Sequence, residues 1–222
     1  MSAGPREDGA SPRYFGVYPA IVTDMVDPDA LGRIQVKFPW LGTQGESDVR
    51  AWATLLTPYA DDGQGIEILP SVGTQVVVAF EAGDPRRPYI VGAAWNGAES
   101  LPEAAQQPNN KRLWKTRSGS LLEFDDTEGA AKVTLSMRSG HTLVLDDAAQ
   151  EVRFAHSNGC SITMTAGGQI RIVANSTVEV TASVVNVHAA ASNFDGIVHC
   201  TTLIADTSVI SPSYTPGAGN VW

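Results

Sequence analysis

Leu31-Gly32-Arg33-Ile34-Gln35-Val36-Lys37-Phe38-Pro39-Trp40 decides how the first half of this chain folds. Ile34, Val36 and Phe38 fall on one side, and Arg33, Gln35 and Lys37 on the other, the two-residue period of a strand with one buried face. Just before it, Asp27-Pro28-Asp29-Ala30-Leu31-Gly32 carries turn chemistry, with proline presetting one dihedral and glycine permitting a positive one. Val17 to Asp24 is a strand candidate on the far side of that turn, so the two form a hairpin. Further candidates run over Val49–Thr57, Gln75–Phe80 and Tyr89–Trp95, separated by the turn-rich stretches Asp61–Gly65 and Ala82–Pro88. Five short strands suit a small closed barrel of the OB type, which leaves no sheet edge open. Ile34, Val36, Phe38 and Trp52 are expected to fill it.

Outward from the barrel the texture changes twice. Residues 1–13 read as a flexible tail of Gly, Pro and charge, and residues 98–111 as a linker without periodicity, leaving 14–97 for the barrel. From Ser118 a loose repeat begins: Ser-Gly-Ser-Leu-Leu-Glu-Phe-Asp-Asp at 118–126 returns as Ser-Gly-His-Thr-Leu-Val-Leu-Asp-Asp at 139–147 and more faintly at 158–166. Its glycines stand at 119, 140 and 159, and each unit is followed by a second alternating strand, so the unit is strand, turn, strand. A repeat that cannot bury its own apolar face must stack on neighbours.

Between Ile170 and Ser211, 18 of 42 residues are Val, Ile or Thr and Phe194 is the only Phe, Tyr or Trp, a composition that favours strand around a narrow core. A single chain would leave long flat edges here, whereas three chains wound about one axis pair them all. Val178, Val180, Val184 and Val187 are expected to line that core. The fold class expected is all-β, an N-terminal OB barrel followed by a C-terminal intertwined trimeric β-helix, or β-prism, over 112–210.

Composition excludes several functions. With 15 basic against 24 acidic residues and no Lys or Arg after Arg171, the chain cannot grip a phosphate backbone along its last third, and no nucleic-acid partner is expected. The span 14–98 holds 5 basic and 10 acidic residues, which argues against an OB module that binds oligosaccharide or single-stranded nucleic acid on basic and aromatic platforms. Cys160 and Cys200 have neither disulfide-framework nor zinc-knuckle spacing and read as small hydrophobes. Met1–Pro12 has no apolar core of a secretory signal, so the chain is expected to be made in the cytoplasm.

Candidate chemistry is thin. Asp125-Asp126 and Asp146-Asp147 resemble the paired carboxylates of a β-helical depolymerase. Adjacent strand residues point to opposite faces, however, and Asp just before a turn bonds nearby backbone N–H groups. His141, His156, His188 and His199 lack metal-ligand spacing. No catalytic residue, metal site or cofactor is expected. The basic run Lys111-Arg112-Leu113-Trp114-Lys115-Thr116-Arg117 reads as a solvated collar.

These motifs resemble the central-spike family of contractile injection machines, that is, phage baseplate assembly protein V and the spike portion of type VI VgrG proteins. The matching stretches are Gly16–Ala20, Leu31–Trp40, Ala51-Trp52, Pro70-x-x-Gly73-x-x-Val76-x-Val78-x-Phe80 and Gly83-Asp84-Pro85-Arg86-Arg87-Pro88-x-Ile90-x-Gly92. Ser211–Gly219 is similar to the blunt end of such spikes, with Tyr214, Pro216 and Trp222 forming or bordering a tip over 211–222. The resemblance implies a homotrimer whose barrels meet hub, inner-tube and baseplate proteins. Its stalk would end on a PAAR-type tip protein and touch the target membrane only transiently, on sheath contraction. It places the chain in a virion tail or an extracellular or cytoplasmic contractile particle. It implies a separate hub protein, since about 13 residues precede Tyr14. The linker leaves no room for a lysozyme-like domain, and the His-x-His iron site of some spike tips is missing.

Overall fold

The computed structural model describes residues 12–44 and 47–212, and its backbone divides into two units, Met1–Asn175 and Ser176–Trp222. The N-terminal tail up to Ser11 and the tip residues Tyr214, Pro216 and Trp222 lie outside the described residues. Within the first unit, strands β1 (Val17–Asp24), β2 (Arg33–Lys37), β3 (Arg50–Leu55), β4 (Gln75–Phe80) and β5 (Pro88–Ala93) close into a barrel. The order around it is β1-β2-β3-β5-β4. Every contact in the ring is antiparallel except β3–β5, where Thr54 pairs with Tyr89 and Leu55 with Ile90 in parallel. That order and its parallel closure are the OB arrangement. Among the described residues helical geometry is confined to two 3-10 turns, Pro39–Leu41 and Glu81–Gly83.

The barrel core follows from alternation. Ile34 and Val36 of β2, Phe38 just after it, Ala20 and Val22 of β1, Val76, Val78 and Phe80 of β4, Ala53 of β3 and Ile90 of β5 are buried together. Trp52 departs from expectation. Pairing of β2 with β3 sets Ile34 opposite Ala53 and Gln35 opposite Trp52, so the inward place on β3 belongs to Ala53. Trp52 faces outward and half-buried, with the Arg33 guanidinium 5.9 Å above its ring. An indole would overfill an interior already holding Phe38 and Phe80, whose ring centroids lie 5.5 Å apart. One mouth of the barrel is closed by Trp40, which stacks on Tyr18 at 4.7 Å and donates its indole N–H to the Pro19 carbonyl at 3.0 Å. The motif residues have local causes. Gly83 has a positive φ of 78°, and a Cβ there would stand 3.1 Å from the Tyr14 nitrogen, so only glycine lets the N-terminal segment cross it.

Beyond the barrel, β6 (Lys111–Lys115), β7 (Leu121–Asp125), β8 (Lys132–Ser136), β9 (Thr142–Asp146), β10 (Glu151–Ala155), β11 (Ser161–Met164) and β12 (Ile170–Val173) form one seven-stranded antiparallel meander. The glycine repeat is the signature of its turns. Gly119, Gly140 and Gly159 donate N–H to the carbonyls of Thr116, Met137 and His156, and those three residues donate to Ser120, His141 and Cys160. Each glycine has φ near 90°, which makes a three-residue hairpin loop with a glycine bulge. The spacing of 21 and then 19 residues is two strands and two turns.

The second unit is different. Residues 174–212 carry no strand ladder, and Val178, Val180, Val184 and Val187, expected in a stalk core, are 59–70% exposed in the single chain. A strand needs a neighbour for its backbone N–H and C=O groups, and no described strand pairs with that segment.

Candidate assembly interface

The pairing register of the meander assigns every side chain to a face. One row across the strands reads Trp114, Leu122, Leu135, Leu143, Phe154, Ile162, Ile172, and the parallel row reads Arg112, Phe124, Val133, Leu145, Val152, Met164, Ile170. Thirteen of these fourteen positions are apolar, so one entire face of the sheet is hydrophobic. Among the described residues it is left uncovered: Trp114 is 55% exposed, Phe124 45%, Leu135 44% and Phe154 47%. An uncovered apolar surface of this extent marks an interaction site.

The opposite face is mixed, with Leu113, Leu121 and Val144 among polar and charged residues of both signs. Its outer row is Lys111, Asp125, Lys132, Asp146, Glu151, in which charge signs alternate over the first four strands. Lys111 meets Glu103 at 3.1 Å and Glu123 at 3.5 Å, and these carboxylates, Glu103 first, raise its pKa. The collar is therefore a strand, with Lys111 committed to partners and Arg112 donating to the Asn109 carbonyl at 2.7 Å. The two carboxylate pairs are turn devices. Asp125 accepts the side-chain O–H and backbone N–H of Thr127, which hold its pKa below the ordinary carboxylate value, and Asp146 accepts the Ala149 N–H at 2.8 Å. Asp126 and Asp147 follow the last residues of β7 and β9, and both pairs line one open cavity at this end of the sheet, beside Lys132 and Glu151.

The histidines lack metal-ligand spacing in the sequence, but the sheet brings two of them together: His141 and His156 lie with ring centroids 4.2 Å apart, their Nδ1 atoms accepting the N–H groups of Ser157 and Asn158. The repeat held the clue, since both flank equivalent glycine turns. His188 and His199 are exposed in the second unit. Among the described residues no group of three or more His, Cys, Asp or Glu side chains is placed to hold a metal, and no helix is long and apolar enough to cross a membrane.

On the barrel, Arg33 binds Asp27 at 2.8 Å and Asp29 at 2.6 Å. Asp27 also accepts the backbone N–H groups of Asp29, Leu31 and Arg33, and the Arg33 guanidinium, chief among these donors, drives its pKa far below the usual carboxylate range. The Arg33–Trp52 pair is thus the wall of a turn, its cation already neutralised, rather than a platform for a nucleotide.

Residues 18–95 match the model of the type VI secretion system/phage-baseplate injector OB domain. The match runs from β1 to just past β5, almost the whole of the barrel. The chain is also similar to the type VI secretion system spike proteins VgrG4b of Pseudomonas aeruginosa (27% identity over 133 residues, 55% of this chain and 16% of that protein) and VgrG3 of Vibrio cholerae (26% over 132 residues, 56% and 13%). VgrG1a of Pseudomonas aeruginosa matches at 27% over 134 residues, 56% of this chain and 21% of that protein. The chain thus spans about a fifth or less of the length of these relatives. The aligned stretches are longer than the matched span 18–95. They are the proteins that the motifs at 31–40, 70–80 and 83–92 resemble.

Proposed function

We propose that this chain is the central spike of a contractile injection machine, a non-enzymatic homotrimeric needle driven through a target envelope when a sheath contracts. One observation carries the proposal: the sheet after the OB barrel has a whole apolar face, and residues 176–210 have a strand-forming composition, yet among the described residues that face is left exposed and that segment joins no strand ladder. Three copies wound about one axis would bury the apolar faces inward, leave the charge-balanced faces in water and supply backbone partners to the Val-rich segments. The division into barrel (14–97), linker (98–111), stalk (112–210) and tip (211–222) follows that plan. The barrels would meet a hub and inner tube, and the tip a PAAR-type protein. Such a stalk would resist bending because its backbone is hydrogen-bonded around a closed section.

Removing the chain from a producing strain tests the proposal. Without it, sheathed particles should fail to assemble or fail to breach target cells, and normal particles that still damage target envelopes would overturn it. A chain ending at Ser211 should still trimerise but lose its tip protein. Tip binding that survives this truncation counts against the assignment of residues 212–222.

A further inference from the structure

In an antiparallel meander the turns alternate between two sides, and here the two sides carry opposite charge. The side with turns 116–120, 137–141 and 156–160 holds Arg117 and Arg138 and no Asp or Glu. The side with turns 126–131, 147–150 and 165–169 holds Asp126, Glu128 and Asp147 and no Lys or Arg. All five are exposed. None of the five makes an ion pair among the described residues. Turn chemistry explains Asp125 and Asp146, which cap their own loops, but leaves these five unexplained.

We infer that the two turn sides recognise each other between copies of this chain, the basic side of one docking on the acidic side of the next. The inference rests on the three-copy reading above and specifies how the ring closes. A contact between two different surfaces is head-to-tail, and it generates a closed ring when the rotation closes. Pure rotation about an axis along the stacking direction of the strands moves no copy up or down, so levels are preserved. Strands lie about 4.8 Å apart, which puts successive turns on one side about 10 Å apart and offsets the two sides by one strand. Facing sides then interleave as Arg117, Asp126 with Glu128, Arg138, Asp147, a ladder of alternating sign in which each turn seats between two of its neighbour's. A pairing of like sides would set arginine against arginine and carboxylate against carboxylate, so the charges also exclude the back-to-front alternative.

Two charge reversals test this, Arg117→Glu with Arg138→Glu on one side and Asp126→Lys, Glu128→Lys and Asp147→Lys on the other, each alone and both together. The readout is the trimer fraction against concentration at low and high salt. Either reversal alone should raise the trimer dissociation constant about tenfold or more at low salt, less at high salt, and the combination should recover most of the loss. The neutral pair Arg117→Gln with Arg138→Gln, which keeps the turn polar, should give an intermediate loss. A wild-type trimer indifferent to either reversal, or a combination no better than its parts, overturns this inference alone. A wild-type monomer overturns the three-copy reading and this inference with it.

Discussion

Replacing Leu135 by aspartate should abolish assembly and leave the barrel folded. Leu135 sits mid-row on the apolar face, opposite Leu122 on one side and Leu143 on the other, and is 44% exposed in the single chain. In an isolated chain a carboxylate there stays in reach of water and costs little. In a closed stalk three carboxylates enter an apolar interior together, at several kcal/mol each, and each copy forgoes about 1 kcal/mol of leucine burial. The total exceeds roughly 10 kcal/mol per trimer, about seven orders of magnitude in the association constant. Leu135→Ala should lose only the burial term, about 3 kcal/mol per trimer, or roughly a hundredfold. Sedimentation velocity across a concentration series reads both, with far-UV circular dichroism to confirm strand content and Trp114 fluorescence, from the same row, to report burial. Leu135→Asp protein that sediments as a trimer at nanomolar concentration would refute the placement of this face at the centre of the assembly.

Val180→Asp should act the same way in the second unit, since three carboxylates would meet near one axis; a normally assembled variant would remove Val180 from the stalk core. In the barrel, Phe38→Ala should cost about 3–5 kcal/mol, whereas Trp52→Ala should lose about 1 kcal/mol, chiefly its contact with Arg33. Chemical denaturation measures both, and equal losses would contradict the outward placement of Trp52. Asp27→Asn should lower the thermal midpoint at neutral pH. Arg33 depresses the Asp27 carboxyl in the folded state, so its contribution is whole above the unfolded value of about 4 and is lost as pH falls through the folded value. Asp84, lowered to about 2 mainly by hydrogen bonding to the Arg86 side chain, contributes in the same sense between about pH 4 and 2. The gap in midpoint between wild type and Asp27→Asn should therefore narrow on acidification, and a gap unchanged from pH 7 to 2 would contradict the clamp.

What was legible in the sequence is what a two-residue period can carry. Ile34, Val36 and Phe38 announce their face because polar residues separate them. The Gly119, Gly140 and Gly159 repeat announces its turns because a bulged hairpin needs a positive φ at one place. Trp52 misled because it stands beside Ala53 in Arg50–Leu55, where apolar residues are consecutive; only the register with β2 decides which points inward. The apolar face of the meander was hidden for a related reason. Leu121-Leu122 and Leu143-Val144-Leu145 are apolar on both sides, and the clean face emerges only when seven strands are aligned. The His141–His156 contact and the opposed turn sides depend on the same alignment. The Val-rich segment was legible as strand-forming in composition, but among the described residues it joins no ladder, because no described strand runs beside it.

The most direct test of the account is the mass of the purified protein in solution, measured by light scattering before and after heating with detergent. The account predicts about three times the chain mass of 23.5 kDa, resistant to that treatment. A stable monomer, with the apolar face and the Val-rich segment left in water, would contradict it.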